Sequence, residues 1–247
     1  MRSRLVTIYI MMCSPLALLA QIGDYRNGLA IGFNGGYVLS NIGFNPNVSQ
    51  TFHNGMSGGL TIRYVSEKYF KTICSIQGEI NFTQAGWKEN IVDVNKNKVI
   101  NPITGQNEAY QRTINYLQIP IFAHLAWGRE QKGVNFFVQA GPQVGLYLNE
   151  STSTNFNLEQ RNTEDRANNI VVQDTMAVEK KIDYGIAAGL GLEYSIPKVG
   201  HFMLEGRYYY GLGDIFRNTK RDYFGKSNIG NIIIKLTYLF DITKTKI

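Results

Sequence analysis

The chain has 247 residues, of which 44% are hydrophobic and 18% are charged, with 25 glycines and 15 tyrosines. This hydrophobic fraction excludes a disordered chain, and a total of 2 cysteines excludes a disulfide framework. The formal net charge is +6, but lysine and arginine form no dense run, so we expect no nucleic-acid partner.

The beginning of the chain differs from the rest. Arg2 and Arg4 precede an apolar run at 5–19, and a small residue, Ala20, follows that run. This order is typical of a secretory signal peptide, and the run is shorter than the roughly 20 apolar residues of a membrane-spanning helix. We therefore predict a signal peptide at 1–20, with an uncleaved anchor as the alternative, followed by one domain at 21–247.

Apolar and polar side chains alternate along most of this domain. The alternation is clearest in the sequence IDYGIAAGLGLEYSI, where large apolar residues alternate with Gly, Ala, Ser and acidic residues. A period of two is that of a β-strand with two different faces. The pattern predicts eight strands, at 28–40, 55–66, 73–85, 112–127, 134–149, 182–196, 201–213 and 229–241.

The connections between these strands alternate in length. Those after the second, fourth and sixth strands are short, whereas the other four run from about a dozen to about thirty residues. Transmembrane β-barrels have short periplasmic turns, longer external loops and an even number of strands. We therefore predict an all-β fold, an eight-stranded antiparallel up-and-down transmembrane β-barrel in the outer membrane, with outer-membrane lipid around it.

Aromatic residues on the apolar face fall at two levels of this barrel. Aromatic side chains favour the headgroup level of a membrane, so the two levels predict two interfacial girdles. The periplasmic girdle comprises Tyr64, Trp127, Phe136, Tyr194, Phe202, Tyr238 and Phe240, and the external girdle comprises Tyr37, Phe82, Tyr184, Tyr208 and Tyr210.

A soluble barrel of lipocalin type is the alternative fold. Such a barrel turns its large apolar residues inward and covers its outer surface with Lys and Glu. Here the polar face holds mainly Gly, Asn, Gln and Ser. The apolar face is also bulkier than an eight-stranded lumen can hold, so the pattern favours the membrane barrel.

The inward face carries charges of both signs, and a narrow lumen requires buried charges to be paired. We predict one cluster of Arg63 with Glu79 and a second of Glu205, Arg207 and Lys235. Paired in this way, the side chains would fill the lumen. A selective channel is the alternative.

Catalysis requires a nucleophile beside a base, and the chain has three histidines. His124 and His201 fall at the periplasmic end of the predicted barrel, whereas His53 is external, near Ser49 and Ser57. No acidic residue has a recognisable spacing to orient His53. We therefore predict no enzymatic activity, no cofactor and no metal site.

The last external loop mixes basic and aromatic residues. Its cations are Arg217, Lys220, Arg221 and Lys226, interleaved with Phe216, Tyr223 and Phe224. Guanidinium and ammonium groups bind phosphate, so this loop is predicted to contact lipopolysaccharide or a partner protein. An ordinary solvated loop is the alternative.

The consecutive segments YLQIPIFAHLAW and FFVQAGPQVGLYL carry a family resemblance. They resemble the PorT-like outer-membrane β-barrel domain of Bacteroidota, in which a Tyr-Leu-x-Ile-Pro strand precedes one with a Gly-Pro. The resemblance covers residues 21–242 and implies a link to type IX protein secretion, the role of the founding member.

Two functions follow as expectations. The first is a non-enzymatic structural or binding role in the cell envelope, carried out by the external loops. The second is an accessory role in type IX secretion, with envelope or secretion-machinery proteins as partners.

Overall fold

The computed structural model describes residues 24–129, 132–216 and 223–244, and the predicted signal peptide lies outside these ranges. The described chain forms eight long strands. They are β1 (Asp24–Asn45), β2 (His53–Tyr69), β3 (Thr72–Glu89), β4 (Tyr110–Trp127), β5 (Gly133–Thr154), β6 (Ile182–Ile196), β7 (Gly200–Asp214) and β8 (Lys226–Thr243). A two-residue strand, Gln50–Thr51, pairs with the end of β3.

The eight strands form a closed ring. Each pairs antiparallel with its neighbours in sequence, and β1 closes the ring against β8. The predicted eight-stranded, antiparallel, up-and-down barrel is confirmed. Among the described residues, no helix is long and apolar enough to cross a membrane.

Strand β1 and strand β5 are each 22 residues long, and the strands continue well past the predicted alternating segments. The turns at 70–71, 128–132 and 197–199 lie at one end of the barrel. By the rule for such barrels this end is periplasmic. The external loops are loop 1 (46–52), loop 2 (90–109), loop 3 (155–181) and loop 4 (215–225). Loop 1 is shorter than predicted because β1 extends to residue 45.

The apolar face of the sheet points outward. Leu60 and Leu236 are 66% and 65% exposed, whereas the inward-facing Arg207 and Lys235 are 2% and 1% exposed. This distribution is the reverse of a water-soluble barrel and suits surrounding hydrocarbon. The predicted girdle aromatics are all exposed or partly exposed on this outer face, as the membrane interpretation requires.

The interior has two parts of different composition. The half nearer the periplasm contains buried charged and amide side chains. The external half contains an apolar cluster that we call the external core, to which strands and loops both contribute. Its large buried members are Ile42, Phe44, Trp87, Tyr110, Ile114, Tyr116, Phe156, Tyr209, Ile215, Phe216, Phe224 and Ile229.

Candidate functional site

Four buried side chains form a charged layer across the lumen. Arg207 binds Glu79 through two bonds, Nη1 to Oε2 at 2.9 Å and Nη2 to Oε1 at 2.8 Å. Lys235 Nζ lies 2.5 Å from Glu79 Oε2, and Arg207 Nε lies 2.7 Å from Glu205 Oε1. Two cations and two carboxylates thus neutralise each other. We call these four residues the charged layer.

Neighbouring residues leave space for the charged layer and supply further hydrogen bonds and contacts to it. Gly189 lies opposite Arg207 in the β6–β7 pair, and a Cβ on it would lie 2.4 Å from Glu205 Oε1. Gln139 Nε2 donates to the same Glu205 oxygen at 2.7 Å, while the guanidinium of Arg207 stacks 4.4 Å from the Phe122 ring centre. The polar lumen is therefore packed with side chains at this level.

Arg63 does not join Glu79, so the predicted pairing of these two residues is wrong. Gln77 stands opposite Arg63 in the β2–β3 register. Arg63 crosses the lumen to Glu193 on β6 instead, with Nη1 to Oε2 at 2.5 Å and Nη2 to Oε1 at 3.1 Å. In a barrel this narrow, a long side chain reaches distant strands as easily as adjacent ones.

His201 forms a polar cluster at the periplasmic rim. Its Nδ1 lies 2.8 Å from Ser195 Oγ and 2.7 Å from Glu193 Oε1, and its Nε2 lies 3.0 Å from Asp241 Oδ1. Ser, His and Asp within reach of each other are the components of a hydrolase triad. The sequence alone gave no hint of this contact, because Ser195, His201 and Asp241 lie on three strands.

The geometry of this rim cluster does not activate Ser195. Its hydroxyl donates to Glu193 at 3.1 Å, and each ring nitrogen of His201 faces a carboxylate, so the ring acts as a donor on both sides. A general base must instead accept the serine proton. Ser195 is also buried. We interpret the cluster as a cross-strand clamp of β6, β7 and β8.

His53, the external histidine, is buried inside the barrel. Its Nε2 lies 2.8 Å from Thr113 Oγ1 and its Nδ1 lies 3.3 Å from Ser40 Oγ. Ser57 instead bonds Thr83. These two hydroxyl contacts account for both ring nitrogens, and among the described residues no carboxylate forms an ion pair with the ring. The contacts therefore have a structural role and link β1, β2 and β4.

The external core was missed by the sequence analysis. Phe44 packs 5.4 Å from Trp87 and 4.9 Å from Phe224, measured between ring centres, and Phe216 lies 5.9 Å from Phe224. These residues lie beyond the ends of the predicted strands. A signal did exist, because Trp87 continues the inward parity of β3 at an apolar position.

The external loops are bonded to each other above this core. The amide of Ala167 in loop 3 donates to Val92 O in loop 2 at 2.8 Å, and Asn168 Nδ2 donates to Asn47 O in loop 1 at 2.9 Å. Arg112 on β4 donates to the carbonyl of Met176 in loop 3. Loops 1, 2 and 3 are thus bonded together above the core, and we call this layer of loops the external cap.

Lys226 is the one residue of the predicted basic cluster within the described ranges. Its ammonium donates to Tyr210 Oη at 3.2 Å and lies 5.6 Å from the centre of that ring. Both side chains are exposed, and Tyr210 belongs to the external girdle. Arg217, Lys220 and Arg221 lie outside the described residues.

An apolar outer wall with aromatic girdles, a ring of eight antiparallel strands and a lumen closed by paired charges define a transmembrane β-barrel of the outer membrane. Residues 19–217 match the family described as outer membrane protein beta-barrel domain. The chain belongs to this family, and it is an outer-membrane protein.

Solved structures of low sequence identity also resemble the chain. Ail of Yersinia pestis, in complex with the heparin analogue sucrose octasulfate, has 13% identity and a TM-score of 0.36 over 87% of this chain and 99% of that one. Neisserial surface protein A has 11% identity and a TM-score of 0.43 over 88% and 100%. OprG of Pseudomonas aeruginosa has 10% identity and a TM-score of 0.37 over 88% and 98%. No curated protein sequence matches the chain.

Proposed function

We propose that this protein is a non-enzymatic structural and binding component of the outer membrane, whose external rim holds the phosphates of lipopolysaccharide. The observation that carries the proposal is the pair of Lys226 and Tyr210 on the lipid-facing side of the rim. A filled lumen supports a role that does not depend on conduction through the barrel.

The position of Lys226 suits an anionic headgroup. Tyr208 and Tyr210 mark the level at which the apolar wall meets the headgroups of the outer leaflet. The contact with Tyr210 holds the ammonium of Lys226 at that level and leaves it exposed. Arg217, Lys220 and Arg221, in loop 4, add three further cations shortly before Lys226 in the sequence. Such groups attract phosphate strongly at low ionic strength.

A matched pair of variants tests this contact. Lys226→Gln removes the cation at the girdle, whereas Lys98→Gln removes an exposed cation in loop 2 that bonds Asn90. We expect Lys226→Gln to weaken the binding of purified lipopolysaccharide by several-fold and to reduce its salt dependence, and Lys98→Gln to change neither. Equal affinity of all three proteins for lipopolysaccharide would refute the contact.

The cations of loop 4, which precede Lys226 in sequence, provide a second variant. Replacing Lys220 and Arg221 together by Ser should lower lipopolysaccharide co-purification further when combined with Lys226→Gln, because each lost cation removes one phosphate partner. If the combined variant retains the co-purification and salt dependence of the native protein, loop 4 is only a solvated connection.

A second candidate function is an accessory role in type IX protein secretion. The strand pair YLQIPIFAHLAW and FFVQAGPQVGLYL supports it through the PorT-like resemblance. The turn between β2 and β3 offers a contact on the correct side of the membrane, since Phe70 is 82% exposed there and has a φ of 53°. An aromatic side chain presented on a turn is suited to anchor a periplasmic partner.

Deletion of the gene separates the two functions. Loss of secreted cargo, restored by the native chain but not by Phe70→Ser, would favour the secretion role. Unchanged secretion with altered envelope integrity or adhesion would favour the envelope role, and the Lys226→Gln variant should then reproduce part of the defect.

A further inference from the structure

Two acidic side chains meet beneath the external cap. Glu89 is the last residue of β3, and Asp174 ends a short 3-10 helix, Val172–Asp174, in loop 3. Both are buried, and their carboxyl groups lie close together. Gln173 Nε2 donates to Glu89 Oε1 at 2.6 Å. These contacts join loop 3 directly to the barrel wall.

The pair lies outside the membrane. Phe82 is the girdle aromatic on β3, and Glu89 comes seven residues after it, which is roughly 23 Å further along an extended strand. The membrane potential and hydrocarbon therefore do not act on these carboxyl groups. The medium that exchanges protons with them is the external solution.

The carboxyl groups of this cluster outnumber its guanidiniums by one. Arg161 Nη1 lies 3.0 Å from Asp174 Oδ2, and Arg166 is 2.7 Å from Glu108 but 3.8 Å from Glu89. Arg112 Nε lies 3.3 Å from Glu150 Oε2, while the Tyr110 hydroxyl donates to the backbone oxygen of Asp174. Counting the pair itself, the cluster contains four carboxyls and three guanidiniums. The carboxyls are those of Glu89, Glu108, Glu150 and Asp174, and the guanidiniums are those of Arg112, Arg161 and Arg166.

One shared proton would supply the missing positive charge. Asp174 Oδ1 is buried without a hydrogen-bond donor, and two adjacent carboxylates away from water cannot both be ionised at low cost. A proton shared between Glu89 and Asp174 satisfies that oxygen and neutralises the group. Burial, and then the charge of Asp174, raises the pKa of Glu89 to about 8. Burial also raises the pKa of Asp174.

We propose that the proton shared by Glu89 and Asp174 is a latch that holds loop 3 closed over the external core, and that alkaline solution releases it. When the proton leaves, the two carboxylates repel each other across the joint between loop 3 and β3. Loop 3 then separates from the barrel and exposes aromatic residues of the core, such as Trp87 and Phe156, to the outside.

The direction of the pH effect follows from the proton count. The closed cap binds one proton more than the open cap between the ordinary Glu pKa of 4.5 and the raised value of about 8. The closed state is therefore most favoured at low pH, and opening increases by up to about tenfold for each pH unit across this window. Above about pH 8 both states have lost the proton, so opening levels off.

Hydrogen exchange of loop 3 amides measures this opening. We would record the exchange of peptides from 155–181 by mass spectrometry, in the full-length protein in phospholipid discs with a metal chelator present. Each rate is divided by the intrinsic rate at that pH. We expect the native protein to exchange at least about tenfold faster at about pH 8.5 than at about pH 6.

Two variants and one control make the result specific. Glu89→Gln and Asp174→Asn each leave a single carboxyl group with an amide that can donate to it, so we expect the pH dependence of loop 3 exchange to disappear in both. Asp165→Asn, which changes an exposed loop 3 carboxylate bonded to Asn162, should follow the native protein.

Three results would overturn the latch. They are exchange in the native protein that is independent of pH, the native pH dependence in both Glu89→Gln and Asp174→Asn, or loss of the pH dependence in Asp165→Asn. Heat-modifiable gel migration of every variant verifies that the barrel itself has folded. The latch does not depend on lipopolysaccharide binding, so its failure would leave the proposed function untouched.

Discussion

The two halves of the lumen are closed by different kinds of interaction. In the half nearer the periplasm, strands alone supply the side chains, and Arg207 and Lys235 each bond Glu79 at 2.9 Å or less. In the external half, the apolar external core and the buried charges around Glu89 and Asp174 fill the space, and loops 3 and 4 contribute core members such as Phe156 and Phe224. The part inside the membrane therefore needs no loop to close it, whereas the external part depends on the cap.

Substitutions in the two halves of the lumen should therefore have different consequences for stability. A buried ion pair that loses one member leaves an uncompensated charge in a dry site, which is strongly destabilising. An apolar core that loses methyl groups leaves a cavity and a smaller cost. Changes in the charged layer should therefore affect the whole barrel, and changes in the external core should affect the cap.

The largest effect is expected for Glu79→Gln. Arg207 and Lys235 both depend on this carboxylate, and its loss leaves two neighbouring cations with only Glu205. We expect the free energy of unfolding in lipid vesicles to fall by about 3 to 5 kcal/mol, measured by urea titration of tryptophan fluorescence. Glu159→Gln, at an exposed loop 3 position, is the control and should change it little.

Lys235→Met should have the next largest effect. Lys235 is 1% exposed, and its removal leaves one carboxylate in excess, although Arg207 still binds Glu79. We expect a loss of about 3 kcal/mol in the same titration. Lys88→Met, which removes an exposed lysine from the outer end of β3, is the matched control. A loss no larger than that of the control would mean that water reaches the charged layer.

The smallest effect is expected for Val178→Ala in loop 3. Val178 is buried in the external core, and removal of its methyl groups should cost about 1 to 2 kcal/mol. Since the cap opens separately from the barrel, we expect faster hydrogen exchange in loop 3 and an unchanged urea midpoint of the barrel. Val94→Ala in loop 2, where the side chain is 82% exposed, should alter neither measurement.

The barrel could be predicted from the sequence because apolar and polar side chains alternate regularly along its strands. Strand neighbours in an up-and-down barrel follow chain order, and the alternation in 182–196 fixes which residues face lipid. Lys235 and Arg207 were accordingly placed in the lumen. Glu79 was predicted to face the lumen but not to be the partner of these two residues. Contacts across a lumen depend on strand stagger, which leaves no periodic signal in the sequence.

The external cap was beyond sequence reasoning for a similar reason. Loop 3 has no periodicity, and its burial of Asp174 against Glu89 depends on how it packs against loop 2 and the ends of the strands. Trp87 was the available clue, since an apolar residue continues the inward parity where a polar one was expected. Trp87 itself lies outside the predicted strand at 73–85. The contrast between the two halves of the lumen therefore became visible only in the folded structure.

Ion conductance tests the closed lumen most directly. Purified native protein, incorporated into planar lipid bilayers at neutral pH, should give no steady current, because the charged layer fills the barrel independently of the cap. Release of loop 3 at about pH 8.5 should leave the bilayer equally silent, since the cap is not what closes the membrane-embedded half. A stable open-channel current at either pH would contradict a lumen closed by Glu79, Arg207 and Lys235.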